Sequence, residues 1–139
     1  MKQIVLISCV SKKLENKSKA KDLYISPLFK KNLEYALSLN PDHIFILSAK
    51  YGLTGLNKEV EPYDKTLNKM SSIEIKDWAK STLNQLREIT NLENDEFIFL
   101  AGNNYRKYLL PEIKNYKVPM KGLPIGKQLQ WLTIKNKNE

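Results

Sequence analysis

Hydroxyls, amines and amides gather where this chain turns from apolar to polar. Ser8, Ser11 and Lys12 follow the run Ile4-Val5-Leu6-Ile7, Ser48 and Lys50 follow Ile44-Phe45-Ile46-Leu47, and Gly102, Asn103 and Tyr105 follow Phe97-Ile98-Phe99-Leu100. Hydroxyl donors and exposed backbone amides can close around an anion while a lysine neutralises its charge. Gly52 permits a turn that larger residues resist, and Gly102 lets a ligand approach the backbone while asparagine amides bond to it. Two acids stand beside tyrosines: Asp22 near Tyr24, and Asp64 after Tyr63. Such a carboxylate can act as a base or offset positive charge developing on a sugar, and a ring can stack on a nucleobase. Each group also has a plainer use. Serines satisfy turn amides, acids cap helix ends and turns, and tyrosines pack.

Lys50, near the end of a buried strand, is expected to be partly desolvated, and therefore to hold a phosphate or carboxylate or to pair with Asp22 or Asp64. Gly126 and Gln128, at the start of the last helix, can present amides to an anion. Trp78 and Trp131 fall on apolar faces and read as core. The candidates are thus Asp64, Asp22 and Lys50 for catalysis. For binding they are Ser8, Ser11, Lys12, Tyr24, Ser48, Tyr63, Gly102, Asn103, Tyr105, Gly126 and Gln128.

These residues meet only if the apolar runs are neighbouring parallel strands buried on both faces, because ligands of open α/β sheets bind at the carboxyl edge. The intervening patterns support that. Ser26-Pro27 opens a helix to about Leu39, with Leu28, Phe29, Leu33, Ala36 and Leu37 on one face. Ser71 and Glu74 form a capping-box pattern for a helix to about Ile89, striped by Ile75, Trp78, Ala79, Leu83 and Leu86. Asn103 or Asn104 can cap a short helix carrying Tyr105, Tyr108, Leu109 and Ile113 inward. A last helix carries Leu129, Trp131 and Leu132. Residues 12–21 read as an exposed basic loop, 116–120 as a short edge strand, and 135–139 as a polar, frayed tail. Strands alternating with helices imply a three-layer α/β domain over residues 1–134, with a small, mostly parallel sheet of three or four strands.

Composition narrows the chemistry. One cysteine, Cys9, precludes an intrachain disulfide, and one histidine, His43, disfavours a histidine-rich metal site or a serine-histidine triad. No metal or cofactor is called for. The run after Met1-Lys2 is too short for a signal sequence and no apolar stretch is long enough to cross a bilayer, so a soluble cytoplasmic protein without a membrane partner is expected. A formal charge of +8 favours polyanions, although only Arg87 and Arg106 among 23 basic residues are arginines, which disfavours sequence-specific reading of duplex DNA. The glycines and terminal lysine-serine of a Walker loop are absent after the first strand.

Taken together, the segments Ser-Cys-Val-Ser-Lys-Lys (8–13), Asp-Leu-Tyr (22–24), Leu-Ser-Ala-Lys-Tyr-Gly-Leu (47–53), Pro-Tyr-Asp (62–64), Ala-Gly-Asn-Asn-Tyr (101–105) and Pro-Ile-Gly-Lys-Gln-Leu-Gln-Trp-Leu (124–132) resemble a family of uncharacterised bacterial and phage proteins. That family is distantly similar to the YaaA peroxide-stress proteins, and this resemblance implies DNA binding. Its opening pattern also resembles the uracil-DNA-glycosylase-like domain of archaeosine synthases, which implies a nucleobase or nucleoside substrate. The expectation is a nucleic-acid or nucleotide-processing enzyme, in its most specific form a hydrolase or transferase acting at an N-glycosidic bond. A non-catalytic DNA-binding stress protein and a nucleotide-signal binding module are the alternatives. The sequence leaves the oligomeric state open.

Overall fold

Ile4, Val5, Leu6 and Ile7 have no solvent exposure, as befits a strand covered on both faces and flanked on both edges. The computed structural model describes residues 1–8 and 13–137, so the candidates Ser11 and Lys12 lie outside the described residues. Its elements are β1 (Gln3–Ser8), β2 (Ser18–Lys19), α1 (Ala20–Leu23), α2 (Pro27–Ser38), β3 (His43–Ser48), β4 (Gly52–Gly55), β5 (Glu59–Val60), α3 (Ser72–Ile89), β6 (Glu96–Leu100), α4 (Asn103–Arg106), β7 (Asn115–Lys117) and α5 (Ile125–Lys137). No described helix is long and apolar enough to cross a membrane.

The main sheet has the order β4-β3-β1-β6-β7, parallel except for the antiparallel β3–β4 pair. It forms a three-layer α/β arrangement with the helices. Its register is clamped at the amino ends. The Lys2 and Asn91 amides donate to the two carboxylate oxygens of Asp95 (2.9 and 2.8 Å), and the Gln3 amide donates to Asp42 Oδ2 (2.7 Å). Each neighbour of β1 thus begins with an acid that seizes the start of β1. Ser8 lies opposite Leu47, and Ile7 opposite Leu100, so the three carboxyl ends finish level.

The helices begin as their sequences dictate. Ser26 accepts from the Phe29 amide (3.2 Å) with Pro27 in the first turn of α2, and Ser71 and Glu74 complete the capping box of α3. Several expectations need correction. Leu37 is 57% exposed, and α2 buries Asn32 between Phe29 and Ala36 instead. Gly52, expected in a turn, begins the edge strand Gly52–Gly55. The basic loop contains β2, paired with β5, and α1. The cap of α4 is Gly102 without a side-chain bond, and α5 continues through Lys137, where fraying from Lys135 was expected.

Chain reversal puts a switch point in the sheet. From β1 the chain crosses to β3 on one side, whereas from β6 it proceeds to β7 on the other. The switch point thus falls between the carboxyl ends of β1 and β6, the place where open α/β sheets form a ligand crevice.

The clamp at the opposite edge is testable. Amide donation from Asn91, then Lys2, holds the Asp95 carboxyl below the ordinary aspartate range despite its burial. A depressed folded pKa contributes stability above the unfolded value of about 4 and loses it as pH falls through the folded value. Asp95→Ala is expected to cost about 2–3 kcal/mol in chemical denaturation at neutral pH. The gap from wild type should narrow steadily as the pH is lowered below about 4.

Candidate functional site

The hydroxyls at the strand ends bind the protein itself. Ser8 Oγ accepts from the Gly102 amide (3.1 Å), joining the ends of β1 and β6 across the crevice. Ser48 is wholly buried; its Oγ accepts from the Lys50 and Tyr51 amides (3.3 and 3.0 Å) and donates to Tyr63 Oη (2.8 Å). Tyr63 Oη also shares a hydrogen bond with Tyr24 Oη (2.8 Å), while Trp78 Nε1 donates to the Ser48 carbonyl (2.8 Å). One chain of bonds thus runs from α3 through the end of β3 to the segment before α2. The structure brings Tyr24, Ser48 and Tyr63 together, but as a buried brace.

Over this brace lies a cavity of about 540 Å³, lined by residues including Lys13, Asp64, Lys65, Thr66, Lys69 and Tyr105. Leu28, Ile125 and Leu129 form an apolar wall. Three ammonium groups face one carboxylate, which favours an anionic ligand beside an apolar surface. Lys13 lies 4.6 Å from the Tyr63 ring centroid and 5.8 Å from that of Tyr24, so the rings orient its ammonium. Asp64 is exposed and makes no ion pair with the described residues.

The segment bearing Asp64 is anchored from below. Leu67 is fully buried; its amide donates to Tyr105 Oη (3.4 Å), and Thr66 caps the short turn at Leu67–Lys69. Asn104 Nδ2 donates to Asn68 Oδ1 (2.8 Å), tying the same segment to α4. Tyr105 is 5% exposed and meets Trp78 edge-on at 5.7 Å. Tyr24 is 1% exposed and packs on Phe29. Neither ring therefore offers an open face for stacking a base.

The other candidates lie apart. Asp22 is exposed on α1 and lines none of the described cavities. Lys50, expected to be desolvated, is exposed because the chain turns outward after Ser48; its ammonium sits 5.2 Å from the Tyr51 ring centroid and it lines a neighbouring cavity. It pairs with neither Asp22 nor Asp64. Asn103 and Gly102 are exposed, and the space around Gly102 is open. Gly126 faces a shallow depression with Pro124 and Lys127, and Gln128 spends its amide on the Pro124 carbonyl and its side chain on the Leu123 carbonyl (2.9 and 2.8 Å).

Sequence reasoning missed Lys13, Lys65 and Lys69. Lys65 and Lys69 are four residues apart, immediately after Asp64, and that proximity was a usable signal. A lysine-rich chain hides it.

The brace predicts a stability effect. Ser48→Ala removes the acceptor of two amides and the donor to Tyr63, and is expected to cost about 1–3 kcal/mol in denaturant unfolding. Tyr63→Phe, which spares those amides, should cost less.

No curated protein matches the chain. A family model does match, over residues 4–134, which includes all three strand ends and the cavity lining. The chain belongs to that family, DUF6884, a family of unknown function.

Proposed function

We propose that the protein is a nucleotide- or nucleic-acid-processing enzyme whose substrate occupies the cavity between the segment 64–69 and the starts of α2 and α5. The observation that carries this reading is the convergence there of Lys13, Lys65 and Lys69 with Asp64 beside an apolar wall. Lysines supply counter-charge for phosphate, and Leu28, Ile125 and Leu129 suit the flat face of a base. Resemblance to the YaaA proteins and to the glycosylase-like domain of archaeosine synthases points toward the same ligand chemistry. A cytoplasmic location accords with a nucleic-acid substrate.

In its specific form the reaction is hydrolysis of an N-glycosidic bond. The bond from C1′ to the base nitrogen breaks, with its electron pair leaving on the base. Asp64 offsets the positive charge on the sugar and orients a water. The water oxygen bonds to C1′, and its proton ultimately reaches the departing base. Lys50 and Asp22, outside this cavity, have no part in that step.

A panel of nucleosides, nucleotides and short single strands, assayed for base release, tests the reading. Asp64→Asn is expected to lower turnover roughly 100-fold or more while binding changes little. Lys65→Ala and Lys69→Ala should each weaken binding of single strands and flatten its log–log salt slope by about 0.7. Steeply salt-dependent binding without base release, indifferent to Asp64→Asn, would instead establish the non-catalytic DNA-binding reading.

A further inference from the structure

The inner stripe of α3 contains a polar break. Thr82 has no solvent exposure, and its hydroxyl has no hydrogen-bond partner. A threonine within a helix ordinarily bonds back to the carbonyl one turn earlier. Thr90 and Thr133 do so, to Leu86 and Leu129 (2.7 and 2.8 Å). An unpaired buried hydroxyl is destabilising, so its retention calls for an explanation.

Thr82 lines a second cavity, of about 410 Å³, with Lys50, Glu74, Asp77, Trp78 and Gln85 among its walls. The side chains here are held in place. Gln85 Oε1 accepts from the Leu53 amide (2.9 Å), which leaves its carboxamide N–H groups as donors. It occupies the space where a side chain at Gly52 would project, and Gly52 itself has φ +71°. Trp78 is fixed through its indole nitrogen on Ser48 and edge-on against Tyr105. Ser71, through its amide and then its hydroxyl, and Lys65 hold the Glu74 carboxyl below the ordinary glutamate range, so it remains an acceptor.

Charge separates this cavity from the first. Lys50 and Lys65 are balanced here by Glu74 and Asp77, so an anion gains little. Carboxylates accept from hydroxyls, ammonium and carboxamide groups donate to them, the Thr82 hydroxyl can do both, and an immobilised indole gives an apolar wall. We propose that this cavity binds an uncharged, hydroxyl-rich group of the pentose class. The inference does not rest on the reaction proposed for the first cavity. Lys65 lines both, so a sugar here lies next to the counter-charge for a phosphate there.

Titration of D-ribose and uridine into isotopically labelled protein, followed by NMR, tests the proposal. Saturable shifts are expected at the Trp78 indole and at the Leu53 and Thr82 amides. Thr82→Val replaces the hydroxyl with a methyl of similar shape; it should weaken binding tenfold or more while leaving the unliganded melting temperature unchanged or higher. Asp77→Ala, at an exposed position, should weaken binding without disturbing the fold. Absence of saturable shifts, or binding unaltered by Thr82→Val and Asp77→Ala, overturns the proposal. Saturable shifts confined to the first cavity, at the Lys13 and Leu129 amides, would also overturn it, by placing the probes there.

Discussion

Everything at the candidate site depends on three parallel strands held in one register. β3, β1 and β6 are pinned at their amino ends, where Asp42 and Asp95 accept the first amides of β1, and their buried runs leave no freedom to slide. A one-residue slip would turn each buried side chain to the opposite face. Level starts and nearly equal lengths produce level ends. The three strands thus end at the same height, where backbone groups that the sheet no longer pairs must be satisfied.

That requirement explains why the serines at the strand ends bind the protein first. Ser8 takes the Gly102 amide and Ser48 takes two amides of its own turn, so the edge is closed by its own hydroxyls. Arg106 adds to it by donating to the Ala101 carbonyl (2.6 Å). Groups with freedom to meet a ligand come from one layer further out, from the lysines and Asp64 carried on segments above the brace. Tyrosine rings carry one of these ammoniums and others nearby: Tyr63 lies under Lys13, and Tyr51, outside the cavity, under both Lys50 and Lys58. Such contacts contribute about 0.5–1 kcal/mol at exposed sites, enough to bias where a flexible lysine points.

The strands and long helices were legible because their signals are local. β3 and β6 follow their apolar runs, and a capping box needs only four residues to declare itself. β4 was hidden because Gly52 and Gly55 resemble a turn; it is a strand because Leu47 and Ile46 offer it an edge. The ribbon of β2 and β5 joins residues some forty positions apart and has no apolar run to betray it. Lys50 was misjudged for a related reason. Strand register shows where the sheet ends, but the outward turn after Ser48 depends on the Ser48 hydroxyl capturing the next amides. Asp64 and Tyr105 were read as walls of one cleft and do line one cavity, Tyr105 by its place soon after β6 and Asp64 because its segment is held on Tyr105 through the Leu67 amide.

Burial of Leu67 anchors the one segment that contributes to both cavities. The segment 64–70 has Leu67 sunk into the core with its amide on Tyr105, and Lys65, Thr66, Lys69 and Met70, which flank it in sequence, line one depression together. Tyr105 in turn abuts Trp78, and Trp78 hangs from Ser48. The strand ends thus fix the indole, the indole steadies the tyrosine, and the tyrosine sets the height of the segment bearing Asp64. A cationic chamber lies toward α2 and α5, and a charge-balanced one toward α3 and β4. Their difference arises from which side chains each neighbouring element contributes, whereas the segment 64–70, anchored through one buried leucine, contributes to both.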